Sequence, residues 1–351
     1  MEHVGSIVSR TLETLTPGHA EQPARERPRT LHDLARVFER AEAQDNPDVV
    51  LPLTALRMTE AETLEVPRLG LFGFTDWSRR QCAALVGVRY DRWFENASPV
   101  ERADEMNRRF ARATNTVRLR TSRVANGDGT HGTLRAFVTP GYSPVSDSRL
   151  AQTLATVLEP ADPELKIVRS DMTDRTVSYV VKVGEAYRPG GPGDVGDLWG
   201  GILVRNSGVG FASLLLSLHL TRLVCKNGMT APLPDALLLK RRHRALDLGK
   251  LRELLASQLD RLPARLAQGA ATLRAARDRP VTDIEGVVRQ VLAFADLPER
   301  HVRSILDAYA REPEPTAFGI SQAITLSAQA LSPEVRFDLE RAAGTYLATT
   351  N

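Results

Sequence analysis

The clearest pattern of hydrophobic and polar positions runs from residue 198 to residue 222. DLWGGILVRN and VGFASLLLSLHLTRLVC alternate apolar with polar residues, and a period of two predicts β-strands with one buried face. With NSGVG and CKNGM at their ends, they predict a hairpin that closes a β-rich module over residues 132–230. The expected buried face carries Ala212, Leu214, Leu216, Leu218 and Leu220, and the expected polar face carries Ser213, Ser217, His219 and Thr221.

The same alternation appears earlier in the chain. TVRLRTSRV and GTLRAFVTP flank the turn sequence NGDGTHG, so the segment predicts a second hairpin. ELKIVRSD and RTVSYVVKVGEAY predict two more strands, and residues 146–160 predict an amphipathic helix. The order of hairpin, helix and antiparallel meander leaves one apolar sheet face, which we expect this helix and others to cover.

Helical spacing marks both ends of the chain. Residues 31–43 predict a short helix, and Thr75 and Asp76 are good N-cap residues for a helix that follows them. Ser98 and Glu101 form a capping box for another. After residue 229 the pattern predicts helices to the C-terminus, and the basic run KRRHR (residues 240–244) lies on the first of them.

Together these elements predict an α+β protein. A central antiparallel β-meander with a packed helix is flanked by N-terminal helices and a C-terminal helical region. We divide the chain into an N-terminal arm with a short helix (1–45), an N-terminal helical unit (46–116), a β-rich core module (117–235) and a C-terminal helical region (236–351).

Composition narrows the chemistry that this fold can perform. The chain has 351 residues and a formal net charge of +3, which permits nucleic acid as a partner without requiring it. It contains no P-loop, no HExxH or GxSxG motif and no CxxC pair. We therefore expect no catalytic residues, no cofactor and no bound metal, which favours a protein that is not an enzyme.

Targeting signals and membrane segments are also missing from the sequence pattern. The N-terminus lacks the apolar stretch of a secretory signal, and the longest apolar run is too short and too polar to span a bilayer. These features predict a cytoplasmic protein with no membrane partner.

His219 and two loop aspartates keep a weaker enzymatic hypothesis open. Because His219 sits between Ser217 and Thr221 on the polar strand face, we expect a half-exposed, hydrogen-bonded histidine. The alternative is a metal-dependent hydrolase or nuclease that uses Asp194, Asp197 and His219.

Three sequence blocks carry a resemblance to a known family. TLRAFVTPGYSPVSDSRL, GGILVRNSGVG and RLVCKNGM together resemble a phage/plasmid-like family that is catalogued as a domain of unknown function, and the resemblance covers about residues 74–350. In this chain Gly208 stands where the family usually has glutamate, and Thr139 and Pro140 replace its more usual Ser-Asp. The matching residues are Leu134, Arg135, Ala136, Tyr142, Pro144, Asp147, Asn206, Ser207, Val209, Gly210, Arg222, Leu223, Cys225, Asn227, Gly228 and Met229.

The resemblance names no reaction. The order of strands and helix is similar, at the level of the fold, to phage single-strand annealing proteins of the Red beta and Erf kind. That similarity implies an ATP-independent, oligomeric protein that holds DNA in a basic groove along a curved sheet. Strand-borne arginines and the lack of a nucleotide-binding motif agree with this implication.

We therefore expect a phage- or plasmid-type DNA-binding protein of a mobile genetic element, which anneals single-stranded DNA during recombination and forms homo-oligomers. Strand-borne cations would contact phosphate, and an aromatic side chain would stack on a base. The expected phosphate contacts are Arg118, Arg120, Arg135, Lys182, Arg205, Arg222 and Lys226, and the expected stacking residues are Tyr142 and Trp199.

The main alternative is a non-enzymatic protein-interaction factor of a mobile element, for host takeover or anti-defence. In that case the motif residues would shape turns rather than bind a ligand, because asparagine and glycine tolerate positive φ. These residues are Asn206, Ser207, Gly210, Cys225, Asn227 and Gly228.

Overall fold

The computed structural model describes residues 28–126, 129–163, 165–188, 197–222, 230–243 and 247–349. Within these ranges the chain forms ten α-helices and two β-sheets, which confirms the α+β class. The expected strands of residues 117–235 do not form one sheet. The hairpin belongs to a six-stranded sheet with strands from the preceding unit, and the meander forms a separate five-stranded sheet.

The first sheet, sheet A, contains β1 (Val49–Pro52), β2 (Arg57–Met58), β3 (Leu64–Val66), β4 (Gly70–Phe74), β5 (Thr116–Ser122) and β6 (Gly132–Val138) in the order β1-β5-β6-β4-β3-β2. All neighbours are antiparallel except β4 and β6, which run parallel. The sequence pattern did not predict strands over residues 49–74, because they have two to five residues each and give too few positions to establish a period.

Two helices cover sheet A. These are α2 (Asp76–Leu85) and α3 (Pro99–Phe110), and both begin as predicted, with a capping box at Thr75 and at Ser98. They enclose a core in which Phe94, Met106 and Phe110 pack against the sheet. Cys82 is buried in the same core, and burial raises the pKa of its thiol well above the usual range.

The second sheet, sheet B, is the predicted antiparallel meander. It contains β7 (Lys166–Met172), β8 (Val177–Tyr187), β9 (Leu198–Asn206), β10 (Leu214–Arg222) and β11 (Thr230–Arg241), in sequential order across the sheet. The alternation also assigned its inner face correctly. Leu214, Leu216, Leu218 and Leu220 are all buried in one large apolar core. Ala212, which was predicted on the same face, precedes β10 and is half-buried outside this core.

Four helices supply the other side of this core. They are α1 (Leu31–Glu42), α4 (Asp147–Leu158), α5 (Leu248–Leu259) and α6 (Leu262–Arg277). The α1 and α4 helices were predicted with nearly these bounds. Glu42 at the end of α1 accepts hydrogen bonds from the backbone N–H groups of Asp147 and Ser148, so it caps α4 and ties the two helices together.

The helical prediction for residues 230–243 was wrong, because most of this segment is β11. Its residues pair with β10 from Leu214↔Arg241 to Thr221↔Thr230. Pro232 and Pro234 disfavour a helix, and an edge strand tolerates proline because its outer N–H groups need no partner. The register shifts on either side of Ser217 accommodate this irregular strand.

The described residues after α6 form four more helices, as predicted. α7 (Ile284–Phe294), α8 (His301–Arg311), α9 (Ala317–Ala328) and α10 (Pro333–Thr349) pack around their own apolar core. The α10 helix also contacts β11 and reaches the face of sheet B opposite α1 and α4. Among the described residues, none of the helices combines the length and apolar character that a membrane span requires.

Candidate nucleic-acid interface

The face of sheet B that points away from α1 and α4, here called the outer face, gathers three of the residues predicted to bind nucleic acid. Lys182, Trp199 and Arg205 lie on it, because their strand positions alternate with those of the buried inner residues. The ammonium nitrogen of Lys182 lies 4.4 Å from the ring centroid of Trp199. Lys166 on β7 lies directly opposite Lys182, so two cations and an aromatic ring share one end of this face.

At the other end, the outer face is covered by α10. Both guanidinium NH₂ groups of Arg169 donate to the two carboxylate oxygens of Glu340, at 2.7 and 2.9 Å. Burial alone would raise the pKa of Glu340, but the bonds and charge of Arg169 hold it below its ordinary value. The pair is therefore a buried, fully charged contact between sheet and helix.

Arg205 also lies beneath α10. Its guanidinium carbon is 4.1 Å from the ring centroid of Phe337, and its NH1 is 3.7 Å from the Asp338 carboxylate. Burial lowers the pKa of Arg205 and raises that of Asp338. Arg205 is only 8% exposed, so this predicted phosphate contact is closed to solvent while α10 is docked.

Two further contacts hold the first turn and middle of α10 on the sheet. The hydroxyl groups of Thr173 and Thr176 donate to the Glu334 carboxylate at 2.6 and 3.2 Å. Arg336 donates to Asp171 at 2.5 Å. Polar and charged contacts therefore dominate this interface.

His219 lies on the same face but differs from its prediction. It is 1% exposed rather than half-exposed, and neither ring nitrogen has a hydrogen-bond partner among the described residues. Burial lowers the pKa of His219 to about 4, so the ring is neutral near pH 7. The prediction failed because the alternation identifies a polar face but does not show that a distant helix covers it.

The arginines of sheet A do not lie on the outer face, and they bond to aspartates and backbone carbonyl groups. Arg120 donates to Asp48 at 3.2 Å and to the carbonyl oxygen of Gly208, and Arg135 donates to both carboxylate oxygens of Asp45 at 2.6 Å. Arg118 donates to the Pro140 carbonyl at 2.6 Å, and its NH1 lies 3.6 Å from Asp48. Two aspartates thus balance much of the charge of these three predicted phosphate contacts.

The family-like motif residues connect the two sheets. Tyr142 donates to the Ser207 carbonyl at 2.7 Å and accepts from the Gly210 N–H at 3.1 Å. Burial raises the pKa of the Tyr142 hydroxyl well above its usual range. Asn206 donates to the Asp147 carboxylate at 2.7 Å and to the Val145 carbonyl at 2.9 Å. These contacts join the segment after β6 to the turn after β9.

Gly208, the departure from the family pattern, lies within this connection. A Cβ atom built at Gly208 would meet NH1 of Arg120 at 2.9 Å, so a side chain there would point toward that guanidinium. Gly210 has φ +74°, a left-handed conformation that favours glycine. The glycine at 210 is thus required by backbone geometry.

Several predicted residues lie outside the described part of the structure. Lys226, Cys225, Asn227 and Gly228 fall within residues 223–229. Arg222 is placed by its backbone alone, opposite Leu198 in the register.

Sequence reasoning missed the placement of the basic run that begins at Lys240. Lys240 and Arg241 end β11, and they are exposed together with Arg242. His243 is buried, with its ring centroid 5.2 Å from that of Tyr142 and its Nε2 atom 3.0 Å from the Ala212 carbonyl. The run is therefore anchored beside the connection between the sheets. The strand that precedes it could have been predicted from Pro232 and Pro234, because proline disfavours a helix and is tolerated in an edge strand.

The metal hypothesis gains no geometry from the described residues. Asp194 lies outside them, and Asp197 lies 3.5 Å from Arg188. His219 pairs with Gly201 on β9, and Gly201 is four residues from Asp197, which directly precedes that strand. At the rise of a strand, His219 and Asp197 are therefore about 13 Å apart. Within the described ranges, no group of three or more histidine, cysteine, aspartate or glutamate side chains could hold a metal ion.

Comparisons with known proteins add no relative. Neither the protein-family models, the curated proteins nor the solved structures contain a match to this chain. The resemblance to the phage/plasmid-like family and to single-strand annealing proteins therefore stays a prediction.

Proposed function

We propose that this protein binds single-stranded DNA along the outer face of sheet B, as a non-enzymatic DNA-binding protein of the annealing type. The observation that carries the proposal is the packing of Lys182 over Trp199 with Lys166 opposite. A cation row beside an aromatic ring is the combination with which proteins bind single strands, since phosphates meet the cations and a base stacks on the ring.

The dimensions of the face suit an extended polyanion. Neighbouring strands are about 5 Å apart, which brings Lys166 and Lys182 close together on β7 and β8. Arg205 lies four residues from the partner of Lys182 along β9, about 13 Å away. The cations of the outer face therefore follow the strand direction rather than cluster at one point.

Under this proposal the arginines of sheet A have a structural role. Arg120 and Arg135 bond to Asp48 and Asp45, which lie between α1 and β1, so they fix the N-terminal segment to the sheet. This assignment removes the arginines of sheet A from the expected DNA contacts. On the outer face of sheet B it keeps the predicted Lys182, Trp199 and Arg205, to which the structure adds Lys166.

The test is a fluorescence anisotropy titration of the full chain with a labelled single-stranded oligonucleotide over a range of salt concentrations. Each cation that contacts a phosphate contributes about 0.7 to the slope of log affinity against log salt. The K166Q/K182Q variant is therefore expected to lower that slope by about 1.4. The matched control K250Q/R252Q removes two exposed charges from α5 and is expected to leave the slope unchanged.

A second readout tests the stacking contact. Binding is expected to quench tryptophan fluorescence, and Trp199→Leu is expected to remove most of that quenching and to weaken binding by about 1 to 3 kcal/mol. Absence of binding at low salt, or an equal loss of slope in the control variant, contradicts the proposal.

A protein-interaction factor is the second candidate. The observation that favours it is the pairing of Arg118, Arg120, Arg135 and Arg205 with carboxylates inside the protein. If this candidate holds, the full chain copurifies with a stoichiometric protein partner and with no nucleic acid.

Either candidate is compatible with a homo-oligomer. β7 is an edge strand of sheet B, and its Val168 and Met172 are 44% and 43% exposed. An exposed edge with apolar side chains is a pairing surface, and we propose that a second copy of the chain pairs there. Multi-angle light scattering of the wild type and of Val168→Lys measures this directly, and a monomeric wild type contradicts it.

A further inference from the structure

We propose that the N-terminal half of α10, residues 333–340, is a built-in competitor for DNA, whose carboxylates occupy cations of the outer face that phosphates would otherwise contact. This inference rests on the proposed function and adds a regulatory element to the same site. Glu334, Asp338 and Glu340 all reach sheet B from this half of the helix.

The geometry of the Arg169–Glu340 contact is that of a guanidinium with an oxyanion. Both carboxylate oxygens accept from separate NH₂ groups, and arginine binds a phosphate with the same two-pronged arrangement. A phosphate could replace the carboxylate at Arg205 in the same way. Asp338 approaches this guanidinium at 3.7 Å, while Phe337 covers its flat face. The helix thus presents an acidic group to Arg169 and another to Arg205.

The interface is also built to separate more readily than the cores on either side of it. Its apolar part is a small cluster of Val180, Leu203 and Phe337, with Leu215 at its margin, and this cluster is distinct from the large inner core. Interfaces between packed units that are small and polar exchange more easily than apolar ones. A polyanion competes directly with such ion pairs, since it offers the arginines equivalent oxygens.

The rest of α10 has contacts that do not involve the outer face. Leu339, Ala342 and Ala343 belong to the core formed by α7, α8 and α9, and Leu347 joins the inner core of sheet B. The carboxylates can therefore exchange their partners while α10 keeps its place among the C-terminal helices.

The first experiment removes the competing charge. Glu334 and Asp338 are half-buried, so the variant E334Q/D338N keeps the shape of both side chains and leaves Glu340 in place. We expect about a ten-fold tighter dissociation constant for the oligonucleotide at fixed salt, together with a lower unfolding midpoint, because Arg205 loses its carboxylate partner. The control D307N/E312Q removes two exposed charges from the end of α8 and is expected to leave affinity unchanged.

The second experiment needs no variant. Amide hydrogen exchange of the wild-type chain is measured with and without the single-stranded oligonucleotide. The proposal predicts faster exchange over residues 333–340 when DNA is bound, because the carboxylates of this segment lose their partners on the outer face. Protection of these residues, or no change while DNA is bound, overturns it.

The outcomes separate the two proposals. If the wild type binds DNA and E334Q/D338N binds equally well, the competitor proposal fails and the proposed function stands. If E334Q/D338N and the control gain affinity equally, the effect is one of overall charge and the competitor proposal fails. If neither the wild type nor the variant binds at low salt, both proposals fail.

Discussion

The ion pair between Arg169 and Glu340 gives a quantitative test of how α10 is held. Glu340 is 2% exposed, and its two oxygens accept from the two NH₂ groups of Arg169. Glu340→Gln keeps the shape of the side chain and removes its charge, which leaves a buried guanidinium with a weaker partner. Breaking one member of a buried pair costs about 3 to 5 kcal/mol.

The expected loss of stability is smaller than this, because Arg169 has a second acidic neighbour. Asp171 lies 3.5 Å from Nε of Arg169 and remains as a second carboxylate. We therefore expect Glu340→Gln to lower the free energy of unfolding by about 2 to 3 kcal/mol. The double variant R169M/E340L replaces the whole pair by apolar groups, and we expect it to lose less than the sum of the two single variants.

Urea unfolding followed by circular dichroism measures these differences, and an unchanged m-value shows that the unfolding reaction is the same. The control is Glu285→Gln, which breaks an exposed pair with Arg289 one turn along α7 and is expected to leave the midpoint unchanged. If Glu340→Gln behaves like this control, the pair is solvated and α10 is not docked on sheet B.

Two further variants test the connection between the sheets, and a third tests the packing of two strands within sheet A. Burial raises the pKa of Asp147 from 3.8 to about 7, so its stabilising contribution is complete below pH 3.8 and is lost as the pH rises to about 7. Urea unfolding should therefore show that the free energy of unfolding of Asp147→Asn, relative to that of the wild type, rises by up to about 4 kcal/mol between pH 4 and pH 8. Parallel pH profiles of the two proteins would contradict this. Tyr142→Phe removes the bond to Ser207 and should cost about 1 to 2 kcal/mol in the same assay, and no loss would mean that the hydroxyl bonds to water instead. Gly132→Ala places a Cβ atom 2.0 Å from the Ser122 carbonyl oxygen, and thermal melting should show a loss of at least about 2 kcal/mol, so a neutral result would refute the close approach of β5 and β6.

The sequence pattern predicted those elements that are long and amphipathic. The meander from β7 to β10, the hairpin of β5 and β6, and the helices α1 to α4 all follow from period or capping signals. Local signals failed where pairing between distant segments decides the structure. β1 to β4 are short strands that depend on β5 and β6, and β11 forms because the edge of β10 offers backbone partners that a helix would leave unused.

The candidate site could be predicted only in part, and for a physical reason. Alternation placed Lys182 on the polar face of its own strand, because the period of a strand fixes which way each side chain points. That Trp199 and Arg205 share this face follows from the pairing of β8 with β9, which the structure provides. Alternation did not show that Arg205 and His219 lie beneath α10, which is more than 100 residues away in the sequence. Nor did it show that Arg118, Arg120 and Arg135 meet Asp45 and Asp48, since that contact depends on how β1 pairs with β5.

The positions of the motif residues change what the family resemblance implies. Tyr142, Asn206, Ser207 and Gly210 bond to backbone groups and to one another's segments, so their chemistry is used in joining sheet A to sheet B. A side chain whose donors and acceptors are already paired inside the protein contributes little to ligand recognition, because binding would first have to break those bonds. Lys166 and Trp199, which the proposed function assigns to DNA contacts, lie outside the motifs. In this chain the motif residues therefore serve the connection between the sheets, and the proposed DNA binding depends on the outer face and on α10, which covers part of it.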